Sequence, residues 1–256
     1  MFSRKKPKVK QLGKVFSLAF WLAIPCYFIL GAFSFISCLI LLDKYLFQKE
    51  IWALFGFGML SSLAVIGGAE LPRLRAFIHE TKHALLVFMF GKSLKEFRIG
   101  KREGHVTYEI EETHYQYVPV ITLAPYCFPL FSFPALAACL LFGETEPPAY
   151  ALALGLTLGA DISFSYSEIH PAQLDFKNIV GGFFASALYI GGVLFFWTSM
   201  CVLWLIGGRG AFLYAGGFGT KVILTISDQM RADQRAERER TVQAAQPTPT
   251  AAPVKK

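Results

Sequence analysis

The chain has 256 residues, of which 54% are apolar or aromatic, and it carries a formal charge of +7. Its mean hydropathy is +0.44. Three runs contain no charged residue and are long enough to cross roughly 30 Å of hydrocarbon as helices: 15–42, 118–142 and 179–206. A soluble globular domain rarely carries such runs, so the composition excludes that class and predicts a multi-pass integral membrane protein.

A basic cluster stands immediately before the first apolar run. Its members are Arg4, Lys5, Lys6, Lys8, Lys10 and Lys14. Basic arms can bind nucleic acid, but a cluster beside a membrane helix is more typical of the positive-inside rule. We therefore expect the lipid bilayer as a partner, a cytoplasmic N-terminus and no nucleic-acid partner. The apolar run is about twice as long as the core of a signal peptide, which argues against cleavage.

The overall pattern predicts an all-α polytopic membrane protein with about five to six transmembrane or re-entrant helices and a small membrane-associated β-hairpin. Five regions are expected in chain order. They are a basic cytoplasmic arm (1–14), two N-terminal transmembrane helices (15–70), a membrane core (71–208), an interfacial or half-helix segment (209–230) and a disordered tail (231–256).

Within the core, proline at position 72 predicts a break before a helix at 76–90, which is too short to span comfortably. Alternating residues around a turn predict a β-hairpin within 92–117, at the interface or lining a protein cavity. Four prolines along 118–142 predict a bent or interrupted helix whose freed carbonyl groups need other partners. Beyond it we expect a helix at 150–166, a polar segment at 167–178 and a spanning helix at 179–206.

The short helix contains the pattern HExxH, with histidines at 79 and 83 and glutamate at 80. On a helix, His79 and His83 lie on one face and can ligate the same metal ion, while Glu80 reaches a water beside it. The alternative is an interfacial helix that happens to carry polar residues. It is less favoured because ionisable groups in a membrane-embedded helix are costly and tend to be functional.

A zinc site of this kind needs a third protein ligand and an open position. The chain has few aspartates, and Asp161 and Asp175 are the two that flank the end of the helix after the Pro-rich segment. Either aspartate can instead be a loop or capping residue. Glu168 and His170, in the polar segment between two apolar helices, are further candidates for a ligand or an outer partner of one.

The residues 77–85 resemble the active-site helix of the site-2 protease-like intramembrane zinc metallopeptidases, and more narrowly of the bacterial branch without a PDZ domain. The resemblance covers roughly 71–182. Its other elements are Leu71-Pro72 before the helix, the hairpin with Gly104-His105-Val106, and Gln173-Leu174-Asp175 downstream. The resemblance implies that the metalloprotease-like core at 71–208 binds one zinc per chain through His79, His83 and Asp175, with Asp161 in reserve.

The same resemblance implies that the function is hydrolysis of peptide bonds in membrane-embedded or membrane-proximal substrates, with Glu80 as the general base. The substrate is then a membrane protein helix, unwound so that it pairs with the hairpin near Gly104, His105 and Val106. The expected location is the bacterial cytoplasmic membrane.

Two positions depart from the family pattern. Lys82 stands where glycine is usual, and Asp161 lies near a position where histidine is frequent. A lysine costs roughly 2.5 to 3.5 kcal/mol at a bilayer centre, so we expect Lys82 in a watery cavity or at the interface. The departures leave a second hypothesis open, in which an inactive protease fold binds or holds a partner helix. A transporter fits poorly because the sequence shows no repeat halves.

Basic residues flank the 76–90 helix on both sides, and the positive-inside rule places both flanks in the cytoplasm. The helix then dips into the membrane and returns, or tilts beside the interface. The Pro-rich helix runs outward, the loop at 144–146 faces outside, and the next helix brings Asp161 and Asp175 back to the cytoplasmic side.

Overall fold

The computed structural model describes residues 16–45, 49–100, 104–109, 112–143, 146–171 and 173–245. The elements in chain order are α1 (Leu18–Tyr45), α2 (Lys49–Gly68), α3 (Pro72–Met89), β1 (Leu94–Ile99), β2 (Gly104–Tyr108), α4 (Val118–Cys127), α5 (Ser132–Phe142), α6 (Pro147–Tyr166), α7 (Leu174–Lys177) and α8 (Gly182–Ala245), with a 3₁₀ turn at Glu112–Tyr117 before α4. The expected basic arm and parts of the hairpin turn and of the 144–146 loop lie outside the described residues.

Among the described residues, three helices are long and apolar enough to cross a membrane, judged by length and composition: α1, α2 and α8. The number is four if α4 and α5 together form one span. The described residues thus confirm a mostly helical chain that has a small two-stranded antiparallel sheet and three or four helices long and apolar enough to span a membrane. The finer expectation of five to six transmembrane or re-entrant helices stays a prediction.

The Pro-rich segment is interrupted, as the sequence predicts. The segment ending with α4 at Cys127 and the helix α5 from Ser132 are bent by 79° to one another. Phe128, at the end of α4, has an extended backbone with ψ of 123°, which suits a residue before a proline, here Pro129. Of the two helices joined at this break, α4 contacts both α3 and α6, and α5 contacts α6.

The hairpin is also present. Its strands pair antiparallel, with Ile99 opposite Gly104 and Phe97 opposite Val106. Phe97 packs edge-on against Phe77 of α3, at 6.2 Å between ring centroids. The start of β2 therefore lies over the HExxH helix.

The junction between α2 and α3 is held by an arginine. α3 begins at Pro72, whose missing N–H is tolerated in the first turn of a helix. Arg75 Nη2 donates to the carbonyl oxygens of Ile66 and Ala69, at 3.2 and 3.3 Å. These carbonyls at the end of α2 lack helical partners, so Arg75 satisfies them and fixes where α3 starts.

Helix α6 lies against α2 at very short range. A Cβ atom on Gly58 of α2 would lie 2.6 Å from the carbonyl oxygen of Leu152, and one on Gly159 of α6 would lie 2.5 Å from that of Met59. Small residues allow such backbone contact, which is a common way for helices to pack in membranes. Because α6 carries Asp161, this packing fixes the position of that carboxylate.

A buried phenylalanine anchors the short helix α7. Phe176 is 1% exposed and belongs to a core formed by α1, α4, α7 and α8, with Phe20, Leu123 and Tyr189. Its ring lies 4.8 Å from that of Tyr126 on α4. The burial of Phe176 therefore places its neighbour Asp175 next to α4.

The chain divides into two compact units after Phe212. α8 contains a break in which Gly208 has φ of +54°, a conformation that glycine adopts without strain. Beyond it helix continues to Ala245, so residues 231–245 of the expected disordered tail (231–256) are helical. The alanine, arginine, glutamate and glutamine residues of 231–245 favour helices, and residues 246–256 lie outside the described part. The expected interfacial or half-helix segment at 209–230 stays a prediction.

Candidate metal centre

The two histidines of the HExxH pattern and one downstream aspartate come together. His79 and His83 lie one turn apart on α3, with 5.0 Å between ring centroids. Asp175 Oδ2 on α7 lies 3.8 Å from His79 Nε2 and 4.0 Å from His83 Nε2. One ligand atom from each of the three residues lies within 4.8 Å of the other two. The sequence prediction grouped these three residues.

The second nitrogen of each imidazole points away from Asp175. His83 Nδ1 lies 2.8 Å from the carbonyl oxygen of Ile121 on α4, and His79 Nδ1 lies 4.0 Å from Glu168 Oε2. Metal-binding histidines commonly use one nitrogen for the ion and the other for an outer acceptor. The sequence suggested Glu168 as a ligand or as an outer partner of one. In the structure it lies beside His79 Nδ1, the nitrogen that points away from Asp175.

Tyr126 is a site residue that the sequence analysis missed. Its hydroxyl donates to Asp175 Oδ2 at 2.8 Å, and its ring is edge-on to His79 at 5.6 Å. The side chain is fully buried. Its one signal in the sequence is that it is the single tyrosine in the apolar run 118–142.

Glu80 lies beneath the start of β2. A Cβ atom on Gly104 would overlap the Glu80 side chain and lie 2.7 Å from its Oε1, so the two residues are in direct contact. α3 is outside the three candidate spans, and burial, followed by the nearby carboxylates of Asp175 and Glu168, raises the pKa of Glu80 to about 7. Such a carboxylate can exchange a proton near neutral pH.

The expectation for Lys82 is wrong. Instead of lying in a watery cavity or at the interface, it is fully buried. Its Nζ lies 3.8 Å from Asp161 Oδ1 and donates to Ser165 Oγ at 3.1 Å and to the carbonyl oxygen of Pro125 at 3.3 Å. An anion and two further acceptors compensate for the desolvation of the cation. Lys82 therefore extends away from the metal-ligand group.

Asp161, the reserve ligand, lies elsewhere in the structure. Its carboxylate accepts hydrogen bonds from the backbone N–H groups of Phe131 and Ser132 and from the Ser132 hydroxyl, at 2.7 to 3.2 Å. It thereby satisfies donors at the start of α5 and pairs with Lys82. It is not part of the group of three ligands.

The three proposed substrate-contact residues differ in their surroundings. Gly104 touches Glu80, whereas His105 is exposed and its Nε2 lies 2.9 Å from Thr107 Oγ1. Val106 is half-buried and opposite Phe97. Within the described residues the sheet has two strands, so each strand keeps one edge without a partner strand.

The three residues suit a zinc ion. Two imidazole nitrogens and one carboxylate oxygen are a common ligand set for catalytic zinc, with bonds of about 2.0 to 2.2 Å. Ligand atoms around such an ion are roughly 3.4 Å apart, so the separations of 3.8 and 4.0 Å need to shrink by about half an ångström. The buried His79 Nδ1 has no hydrogen-bond partner among the described residues, which leaves it free to donate toward Glu168 when Nε2 binds a metal.

The chain matches no family model, no curated protein and no solved structure in the three comparisons that were made.

Proposed function

We propose that the chain is a zinc metalloendopeptidase that hydrolyses peptide bonds of membrane-embedded or membrane-proximal substrates. The observation that carries the proposal is the convergence of His79, His83 and Asp175 from two separate helices, with the carboxylate of Glu80 on the same helical turn. A ligand set without a base supports metal storage, whereas a ligand set with an adjacent carboxylate supports hydrolysis.

Each side chain of the site has its own role in the proposed hydrolysis. A zinc ion bound here supplies Lewis-acid chemistry, which polarises a carbonyl group and makes a nearby water more acidic. Glu80 would take the proton of that water as the water oxygen adds to the carbonyl carbon, and would return it to the leaving amine as the C–N bond breaks. Tyr126 fixes the orientation of Asp175 through its hydroxyl, and Ile121 fixes that of His83.

The substrate has to present its peptide bond in an extended form, since a helix encloses its carbonyl groups in hydrogen bonds. The free edges of the hairpin offer backbone groups to such a segment. The contact of Gly104 with Glu80 brings the first residue of β2 next to the base. A strand that pairs there passes over the HExxH helix.

Lys82 bears on the competing hypothesis of an inactive protease fold. A cation directed at the ligand group would repel a metal ion, but the Lys82 ammonium group is held by Asp161, Ser165 and Pro125. This arrangement supports the enzyme over the inactive holder of a partner helix.

The test compares wild type with Glu80→Gln, which keeps the side-chain shape and removes the base. Each protein is reconstituted into liposomes with the membrane proteins of the expression host, and new peptide N-termini are quantified by mass spectrometry. We expect zinc-dependent termini from wild type and none above background from Glu80→Gln. Equal sets from both proteins would leave the inactive fold as the better account.

A further inference from the structure

Pro125 lies inside α4, which runs from Val118 to Cys127. A residue at this position normally donates its N–H to the carbonyl four residues earlier, here that of Ile121, but proline has no N–H to donate. The Ile121 oxygen therefore lacks its helical partner. Ile121 is fully buried, so leaving that acceptor unpaired is costly.

His83 supplies the missing donor. Its Nδ1 lies 2.8 Å from the Ile121 oxygen. A carbonyl oxygen only accepts hydrogen bonds, so a contact of this length requires the proton on Nδ1. A neutral imidazole with its proton on Nδ1 carries its lone pair on Nε2, and Nε2 is the atom that lies 4.0 Å from Asp175.

The surrounding packing keeps this contact in place. Leu86 and Val87 of α3 form one buried cluster with Ile121 and Ala124 of α4, so the two helices cannot slide without opening a cavity. A second contact lies one residue earlier on α3, where Lys82 Nζ donates to the carbonyl of Pro125. That carbonyl also lacks a helical donor, because α4 ends at Cys127 and the next candidate donor is a proline.

We propose that Pro125 is a positioning residue of the metal centre. By withholding an N–H group, it reserves the Ile121 carbonyl for His83 and holds that imidazole in the form whose Nε2 is free to bind a metal. The consequence for zinc affinity rests on the proposed function. The protonated nitrogen itself is a property of the metal-free chain.

The first measurement uses the wild-type chain. The protein is labelled with ¹⁵N-histidine, stripped of metal and kept in detergent micelles near pH 8, where a free imidazole is neutral. The His83 signals are identified by their loss in His83→Gln. We expect a protonated Nδ1 and an unprotonated Nε2. A proton on Nε2 instead would overturn the proposal, and this result does not depend on the folding of any proline variant.

The second measurement uses Pro125→Ala, which supplies an N–H group that competes for the Ile121 oxygen. We expect a mixture of the two neutral imidazole forms at His83. We also expect a zinc affinity lowered by about tenfold, as is usual when a hydrogen bond to a metal ligand is disturbed. Pro134→Ala is the matched control, since Pro134 is an exposed proline of α5, and it should change neither quantity. A Pro125→Ala protein identical to wild type in both measurements would refute the proposal.

The two proposals fail in different ways. A wild-type chain with the proton on Nδ1 that binds no zinc refutes the metallopeptidase, and it leaves intact the part of the proposal in which Pro125 sets the position of the His83 proton. A chain that binds zinc but carries the proton of metal-free His83 on Nε2 refutes the role of Pro125 and leaves the metallopeptidase intact.

Discussion

Lys82 Nζ lies 3.8 Å from Asp161 Oδ1, and both side chains are buried. The pair connects two parts of the molecule around the candidate metal centre. Lys82 belongs to the helix that carries both histidines, whereas Asp161 accepts hydrogen bonds from Phe131 and Ser132 at the start of α5. The ion pair therefore ties the HExxH helix to the break in the Pro-rich segment.

Lys82→Met tests this connection. The change keeps an unbranched side chain that is one atom shorter, and it leaves the Asp161 carboxylate buried without its cation. We expect the free energy of unfolding to fall by roughly 3 to 5 kcal/mol, because removing one partner of a buried pair uncovers a desolvated charge. Thermal unfolding in detergent, followed by circular dichroism, measures the loss.

Two further variants sharpen that test. Lys82→Met/Asp161→Asn removes both charges and should be more stable than Lys82→Met alone. Lys95→Met is the matched control, because its ion pair with Glu109 is exposed and contributes less than about 1 kcal/mol. Equal destabilisation by Lys82→Met and Lys95→Met would show that the buried pair does not hold the two segments together.

Gly104→Ala tests the contact between the hairpin and the base. Its Cβ would overlap the Glu80 side chain, so either the hairpin or the carboxylate must move. We expect cleavage to slow by about 10- to 100-fold, because small displacements of a catalytic group have effects of that size, while zinc affinity stays within about twofold. Gly67→Ala is the control, since a Cβ there meets no atom within 4 Å. Unchanged cleavage by Gly104→Ala would show that the contact between Gly104 and Glu80 does not affect the reaction.

The HExxH helix, the hairpin and the break in the Pro-rich segment were predictable because each has a local signal. Helical spacing places His79 and His83 on one face, and several prolines close together in one apolar run favour a break or bend in the helix. Asp175 was placed by resemblance to a family. Its physical anchor, the burial of Phe176, depends on residues from four helices and cannot be read from local sequence.

The burial of Lys82 could not be predicted from the sequence, because it depends on a distant partner. A lysine in an apolar helix predicts access to water unless a partner is known. Its partner is 79 positions along the chain, on a helix held in place by glycine contacts with α2. Tyr126 was missed for the same reason, since its hydroxyl meets Asp175 only after α7 folds against α4.

Tyr126→Phe tests the support of the third ligand. The change removes one hydroxyl and keeps the ring that packs against His79 and Phe176. We expect zinc to bind about tenfold more weakly, a usual effect of losing a hydrogen bond to a metal ligand. Competition with a fluorescent chelator measures the affinity, and Tyr166→Phe, at an exposed position, is the control. An unchanged affinity would show that Asp175 does not need this hydroxyl.

The membrane orientation is a separate prediction. With the basic arm and the hairpin in the cytoplasm, position 103 should be accessible from inside and position 145 from outside. Single cysteines at these positions, in a chain without its native cysteines, are treated in intact cells with a maleimide that does not cross membranes. We expect labelling at 145 and protection at 103 until the cells are opened. Equal access to both positions from one side would contradict this orientation.

The most direct test of the metal centre is the zinc content of the purified chain. Mass spectrometry of wild type should give about one zinc per chain, and X-ray absorption should show two imidazole nitrogens and a carboxylate oxygen at about 2.0 to 2.2 Å. His79→Ala/His83→Ala should fall to the background of the buffer, while Glu80→Gln should retain the metal. Full zinc occupancy in the double histidine variant would contradict the assignment of the site.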